Sequence, residues 1–215
     1  MENKQNHAEL NEKKWDERAD TFERKWFNRF NYFQFAQKRV ITLLDLHEGQ
    51  NFLDIGCGTG WAVRYAASVV RGMSEFYGID ISPKMIEKAR EYCKSCENIH
   101  FHKADAEALP FGNDFFDFII CTNSFHHYFS PSKALAEVCR VLKPGGRFFL
   151  LDFTADGPMI KIADKWALKK DHAHVRFYST QEYQALFAQS GLNYICNKSI
   201  WRPVMWQKVH IGSKS

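Results

Sequence analysis

Phe52-Leu53-Asp54-Ile55-Gly56-Cys57-Gly58-Thr59-Gly60 reads as a short apolar strand that runs into glycines at three alternate positions, with a helical pattern opening at Trp61. Glycine lets the backbone turn tightly, and it lets a ligand approach main-chain N–H groups at a helix N-terminus with no Cβ in the way. Asp54, closing the strand, is expected to turn a carboxylate into the crevice above it. That charge would repel a phosphate and attract the ammonium of a bound amino acid. A dinucleotide fingerprint spaces its glycines G-x-G-x-x-G, the third serving close helix–strand packing. Here Trp61 holds the third position, and an indole there argues against a nicotinamide cofactor.

Outward from this loop, short apolar runs alternate with helical stretches. Strands are expected at Asn51–Ile55, 75–79, Ile99–Lys103, 116–121 and 147–152, and helices near 61–70, Pro83–Tyr92 and 131–142. Ser82-Pro83 and Ser130-Pro131 each offer a capping hydroxyl followed by a proline pre-set for the first helical turn. Strands separated by helices of this length imply parallel pairing, right-handed crossovers and helices on both faces, a doubly wound α/β sheet. Near the end, Ser179-Thr180-Gln181-Glu182 forms a capping box for a helix that Gly191 closes. Two strands follow, at 192–198 and 204–211, with only residues 201–203 between them. A connection that short cannot make a parallel crossover, so this pair is expected to be antiparallel.

Upstream, residues 10–46 contain no Pro or Gly and space their apolar residues by three and four, a helical pattern that Gly49 ends. The chain therefore divides into a helical extension, 1–48, and a ligand-binding domain, 49–215. Residues 153–178 stand outside the alternation, as an insertion at the carboxyl end of the fifth strand, where open α/β sheets bind ligands. Together with the N-terminal helices this insertion is the candidate lid, or else a packing decoration.

The 215 residues are 45% hydrophobic and 25% charged, enough apolar material for a sizeable core and too much for disorder. No apolar run approaches the roughly 20 residues that span a bilayer. Met1-Glu2-Asn3-Lys4-Gln5-Asn6 lacks the apolar centre of a secretory signal. Six scattered cysteines fit a reducing cytoplasm better than a disulfide framework. The net charge of +4 is mild, and the longest basic runs, Lys13-Lys14 and Lys169-Lys170, do not make a nucleic-acid surface. A small molecule is the expected partner, and the oligomeric state is left open.

Two further acidic motifs follow the glycine loop. Tyr77-Gly78-Ile79-Asp80 ends the second strand 20 residues past Gly60, the separation expected of a carboxylate that reaches both hydroxyls of an adenosine ribose. Ala104-Asp105-Ala106-Glu107-Ala108-Leu109-Pro110-Phe111 follows the third strand. Asp105 there can accept from an adenine amino group, with Ala106 and Leu109 against the ring, or the piece is an ordinary capped turn. In this order the three motifs resemble the class I S-adenosylmethionine-dependent methyltransferases, closest to the small-molecule type that includes the ubiquinone and menaquinone methyltransferases. The resemblance runs over 52–152, including Leu142-Lys143-Pro144-Gly145-Gly146-Arg147, and Trp15-Asp16-Glu17-Arg18-Ala19 resembles the helix that in this group often folds over the cofactor.

The resemblance implies a Rossmann-like seven-stranded sheet, mostly parallel, with one antiparallel strand beside the fifth. It implies that Asp54, Gly56 and Gly58 line the methionine part of S-adenosylmethionine, Asp80 and Ile81 the ribose, Asp105 and Ala106 the adenine, with Cys57 and Thr122 also in the cofactor site. S-adenosylhomocysteine would be the product and no metal is called for. Cys121-Thr122-Asn123-Ser124-Phe125-His126-His127-Tyr128 takes the place that faces the sulfonium, without the paired prolines of enzymes that methylate base amines or amides. His126 is the candidate catalytic residue, as a general base or an orienting donor; equally, capping and packing alone would account for His126 and His127. Cys93-x-x-Cys96 lacks a second ligand pair at zinc spacing, and His172-x-His174 is weighed as a substrate contact rather than a metal site. The aromatic run Phe22, Trp26, Phe27, Phe30, Tyr32, Phe33 and Phe35 suits an apolar pocket wall or the core face of a long helix.

Overall fold

The computed structural model describes residues 2–22, 32–70, 72–200 and 206–215. Helix α1 (Glu2–Arg18) ends in a single 3-10 turn (Ala19–Thr21), and α2 spans Tyr32–Leu44. There follow β1 (Asn51–Ile55), α3 (Trp61–Val69), β2 (Glu75–Asp80), α4 (Pro83–Tyr92), β3 (Ile99–Lys103) and β4 (Phe116–Thr122). After a 3-10 turn at Phe125–His127 come α5 (Pro131–Val141), β5 (Leu142–Phe153), α6 (Pro158–Lys170), α7 (Thr180–Gln189), β6 (Leu192–Ser199) and β7 (Gln207–Lys214).

The seven strands pair in the order β3-β2-β1-β4-β5-β7-β6. Pairing is parallel from β3 to β5, and β7 runs antiparallel to both β5 and β6. This is the doubly wound, mostly parallel sheet with one reversed strand that the sequence predicts. Strand side chains alternate between two buried layers. Phe52, Phe76, Ile120 and Phe149 face α2, α3 and α4, while Leu53, Ile55, Ile119 and Leu150 face α5 and α7.

Three local readings differ from the structure. The long N-terminal helix is divided: α1 stops at Arg18, and α2 ends at Leu44 because Asp45 enters the left-handed region (φ 55°), before Gly49 is reached. Of the aromatic run, Trp26, Phe27 and Phe30 and the side chain of Tyr32 lie outside the described residues, as does the 201–203 connection. Ser82 caps α4 as expected, accepting from the Met85 N–H at 3.1 Å, but Ser130 makes no side-chain cap on α5. Third, β5 starts at Leu142 rather than 147, because its pairing with β4 continues past an irregularity that absorbs Pro144, Gly145 and Gly146.

The last glycine of the loop shows why no side chain is tolerated there. Gly60 has φ 76°, and a Cβ on it would lie 2.5 Å from the Phe101 ring. Both the strain and the collision act at once. Gly60→Ala is therefore expected to destabilise the protein by about 2–4 kcal/mol, read as a lower urea midpoint. An unchanged midpoint would mean that β3 can retreat without cost.

Candidate functional site

The chain order reverses at β1, with β2 and β3 on one side and β4 and β5 on the other. Open α/β sheets hold ligands at such a switch point, outside the carboxyl ends of the strands. A cavity lies there. Its floor is the glycine loop with Asp80, Ile81, Ala106 and Thr122, and its roof is α1 (His7, Asn11, Trp15), Phe22, and Gln34 and Gln37 of α2. Of the residues read from the sequence, Gly56, Cys57, Gly58, Asp80, Ile81, Asp105, Ala106 and Thr122 stand on its wall. Asp54, Leu109 and His126 do not.

The loop keeps its shape through main-chain contacts. The N–H groups of Gly56 and Cys57 both donate to the Ile79 carbonyl, and the Gly58 N–H donates to Asp80 Oδ2 at 2.9 Å. Asp80 Oδ1 accepts from the Ser82 N–H at 2.9 Å. One carboxylate thus ties the glycine loop to the start of α4, with acceptor capacity left toward the cavity. Burial pushes its pKa up to about 6 against the pull of those N–H donors.

Asp54 sits one residue short of the strand end and is wholly buried beneath the loop rather than projecting into the crevice. Neither carboxylate oxygen has a hydrogen-bond partner among the described residues. Burial first, and the charge of Asp80 second, push its pKa up to about 8. In the unfolded chain the carboxyl ionises near 3.8, so between those two values the unfolded state has lost a proton that the folded state keeps. Stability must therefore fall as pH rises through that window. Asp54→Asn is expected to remove the fall and to stabilise the ligand-free protein by about 2–5 kcal/mol at pH 8, with little change at pH 4. Urea midpoints at the two pH values check this; an equal pH dependence in both proteins would mean that Asp54 is paired.

Asp105 caps its turn and also stands on the cavity wall. Its Oδ1 accepts from the Glu107 N–H at 2.9 Å. Its Oδ2 lies 3.5 Å from the Lys4 ammonium of α1. Leu109 turns the other way, into the core behind α5, and its N–H donates to Glu137 at 2.8 Å. Only Ala106 of the expected apolar pair is left for a ring.

At the 3-10 turn after β4, the imidazole on the cavity wall is His127, and His126 stands behind it. Asp152 accepts both the backbone N–H of His126 (3.0 Å) and its ring Nδ1 (2.8 Å). His127 Nδ1 meets the Ala173 carbonyl at 2.7 Å, and its ring meets Trp15 edge-on. Burial pushes the His127 pKa well down, so the ring is neutral at ordinary pH. His174 is also buried, on Asp164, and off the wall. None of residues 153–178 reaches the cavity: the insertion packs behind the histidine turn, with Val175 N–H on the His126 carbonyl and Asp171 on Lys14.

Sequence reading missed the amides in the roof. Gln37 donates from Nε2 to Thr122 Oγ1 at 2.9 Å, and Asn11 donates from Nδ2 to the His127 carbonyl at 3.1 Å. Gln37 Oε1, Asn11 Oδ1 and Asn123 Nδ2 are buried without a partner among the described residues. The available signal was Gln34 and Gln37 interrupting the apolar face of a helix. Beside them, α1 is fastened at Asp16, which accepts from the Ser82 hydroxyl at 2.5 Å.

Among the described residues no helix is long and apolar enough to cross a membrane. A family model of the methyltransferase domain matches residues 46–205. The uncharacterized methyltransferase YcgJ of Bacillus subtilis (strain 168) is 37% identical over 159 residues, 72% of this chain and 62% of its own. UbiE of Francisella tularensis, a ubiquinone/menaquinone biosynthesis C-methyltransferase, is 34% identical over 147 residues, 65% of this chain and 58% of its own. The chain thus spans about three-fifths of the length of these curated relatives. The crystal structure of Bacillus YcgJ superposes with a TM-score of 0.69 at 33% identity, over 76% of this chain and 71% of that one. A SAM-dependent methyltransferase from Aquifex aeolicus shares the fold, with a TM-score of 0.68 at 22% identity over 86% and 92% of the two chains. With a family match over most of its length and a glycine loop at the switch point of the sheet, this chain belongs to the methyltransferase-domain family.

Proposed function

We propose that the protein transfers a methyl group from S-adenosylmethionine to a small-molecule acceptor by in-line displacement. The observation that carries this reading is the roofed cavity at the switch point of the sheet, with the glycine loop and Asp80 on its floor. Gln37 Oε1 and Asn11 Oδ1, buried and without a partner among the described residues, offer acceptors in the roof to the ammonium end of a ligand. Asp80 is assigned to the ribose hydroxyls, Asp105 and Ala106 to the adenine, and Gly56, Cys57, Gly58, Ile81 and Thr122 to close contact along the cofactor.

The bound donor supplies an already activated methyl carbon. What the chain must add is alignment and exclusion of water. Residues 1–48 perform that task in this reading, since α1 and α2 roof the cavity. Phe22 belongs with them, its ring close against Gly58. His126 enters as a positioning residue that holds the turn on Asp152, and His127 as the ring nearest the acceptor.

Calorimetry with S-adenosylmethionine, S-adenosylhomocysteine and NAD tests the donor. The two sulfur nucleosides are expected to bind and NAD is not; NAD binding without either would overturn the reading. A labelled-methyl screen over quinols, phenols, amines and thiols then tests the transfer, and donor binding with no transfer to any class would reduce the protein to a binding module.

A further inference from the structure

His126, His127 and His174 come together from the turn after β4 and from the insertion after β5. One ring nitrogen of each lies within 4.8 Å of those of the other two. The ring centroids are 4.0, 5.4 and 6.3 Å apart. Three imidazoles gathered on one tetrahedral ion by bonds of about 2.0–2.1 Å have centroids roughly 5 Å apart, so His126 and His127 would have to part, and His127 and His174 to close, each by about 1 Å.

Each ring is also held from outside. His126 Nδ1 is on Asp152, His127 Nδ1 on the Ala173 carbonyl and His174 Nε2 on Asp164. The two carboxylates are themselves fixed: Asp152 also takes the N–H groups of His126 and Phe153, and Asp164 takes the Phe177 N–H at 2.8 Å. Histidines that ligate metals donate their second ring N–H to a carboxylate or carbonyl in this way, which sets the tautomer and leaves the opposite nitrogen as the ligand.

We propose that His126, His127 and His174 form a binding site for a borderline divalent transition-metal ion of the Zn²⁺ type. Imidazole ligands without a carboxylate or carbonyl oxygen select such an ion over Mg²⁺ or Ca²⁺. Three protein ligands leave a fourth position open, as in catalytic rather than structural zinc sites. His127 is on the cavity wall, so that position lies at the edge of the cavity, where the ion would acidify an acceptor hydroxyl or thiol. The ion would also join the 153–178 insertion to the turn after β4. Sequence reading had no access to this set, because it weighed His174 only with its neighbour His172.

The test is metal binding itself, which does not depend on methyl transfer. Protein stripped with a chelator and titrated with Co²⁺ is expected to take up a single equivalent. It should then show the visible bands of four-coordinate cobalt with no sulfur charge-transfer band, and Zn²⁺ should raise its Tm. His174→Ala should lose the bands and the Zn²⁺-dependent rise. Asp164→Asn keeps all three imidazoles and should weaken Co²⁺ binding about ten- to a hundredfold. No cobalt bands, a sulfur band that places the ion at Cys93 and Cys96, or equal Co²⁺ affinity in wild type and Asp164→Asn would overturn the proposal.

Discussion

Asp80→Ala is expected to weaken S-adenosylmethionine binding by about 1.5–3 kcal/mol, a loss of roughly ten- to 150-fold, because a charged acceptor of ligand hydroxyls is worth about that much. The effect has two sources that can be separated. Asp80 faces the cavity, and it also receives the N–H groups of Gly58 and Ser82. Alanine removes the ligand contact and leaves both donors without their partner, so the loop loosens as well. Asp80→Asn keeps a carbonyl oxygen for one of the two N–H groups and should retain more of the fold than of the affinity. The comparison needs calorimetry for binding and urea melts for stability on both variants. Donor affinity unchanged in a folded Asp80→Ala protein would show that the ribose is held elsewhere.

Deleting residues 1–20 is expected to cost about a hundredfold in methyl-transfer activity while the sheet still folds. The expectation of folding rests on β1 beginning only at Asn51 and on the two core layers being built downstream of α1. The loss of activity follows from what α1 contributes. His7, Asn11 and Trp15 are part of the roof, and the helix is fastened by Asp16 to Ser82, by Lys14 to Asp171 at 2.6 Å, and by Asn11 to the His127 carbonyl. Without it the cavity is open to water and the nucleophile is unaligned, and a misplacement of an ångström or so costs about this much. Near-wild-type turnover by the truncated protein would show that α1 only packs. Failure to fold would show that it completes the core, contrary to the layer structure.

How far each feature could be read depends on how local its cause is. Strand β1, the glycine loop and α4 were legible to the residue, because alternation, glycine spacing and Ser-Pro capping act within a few positions. The antiparallel pairing of β6 and β7 was legible from the length of one connection, since a short link leaves no room for a crossover, whereas the reversal of β7 against β5 came only from the family resemblance. The break between α1 and α2 was not, because uninterrupted helical spacing cannot show where a helix leaves its neighbour. Nor was the fate of Leu109, which had the right type and place for a ring contact but turned into the core beside Glu137.

By itself the sequence determined the order of strands and helices, the parallel sheet, the loop at its switch point, and the acidic residues Asp54, Asp80 and Asp105 at their places along it. Tertiary structure alone decided what those groups face. On a 3-10 turn successive side chains point about 120° apart, so which of His126 and His127 reaches the cavity depends on where Asp152 holds the turn. Asp54 is buried because helices pack across its face of the sheet, α3 against β1 itself, and His174 meets the other two histidines because the insertion folds back over the turn after β4. Periodicity and capping are short-range properties of the chain, whereas burial and the meeting of distant side chains arise only when separate elements pack.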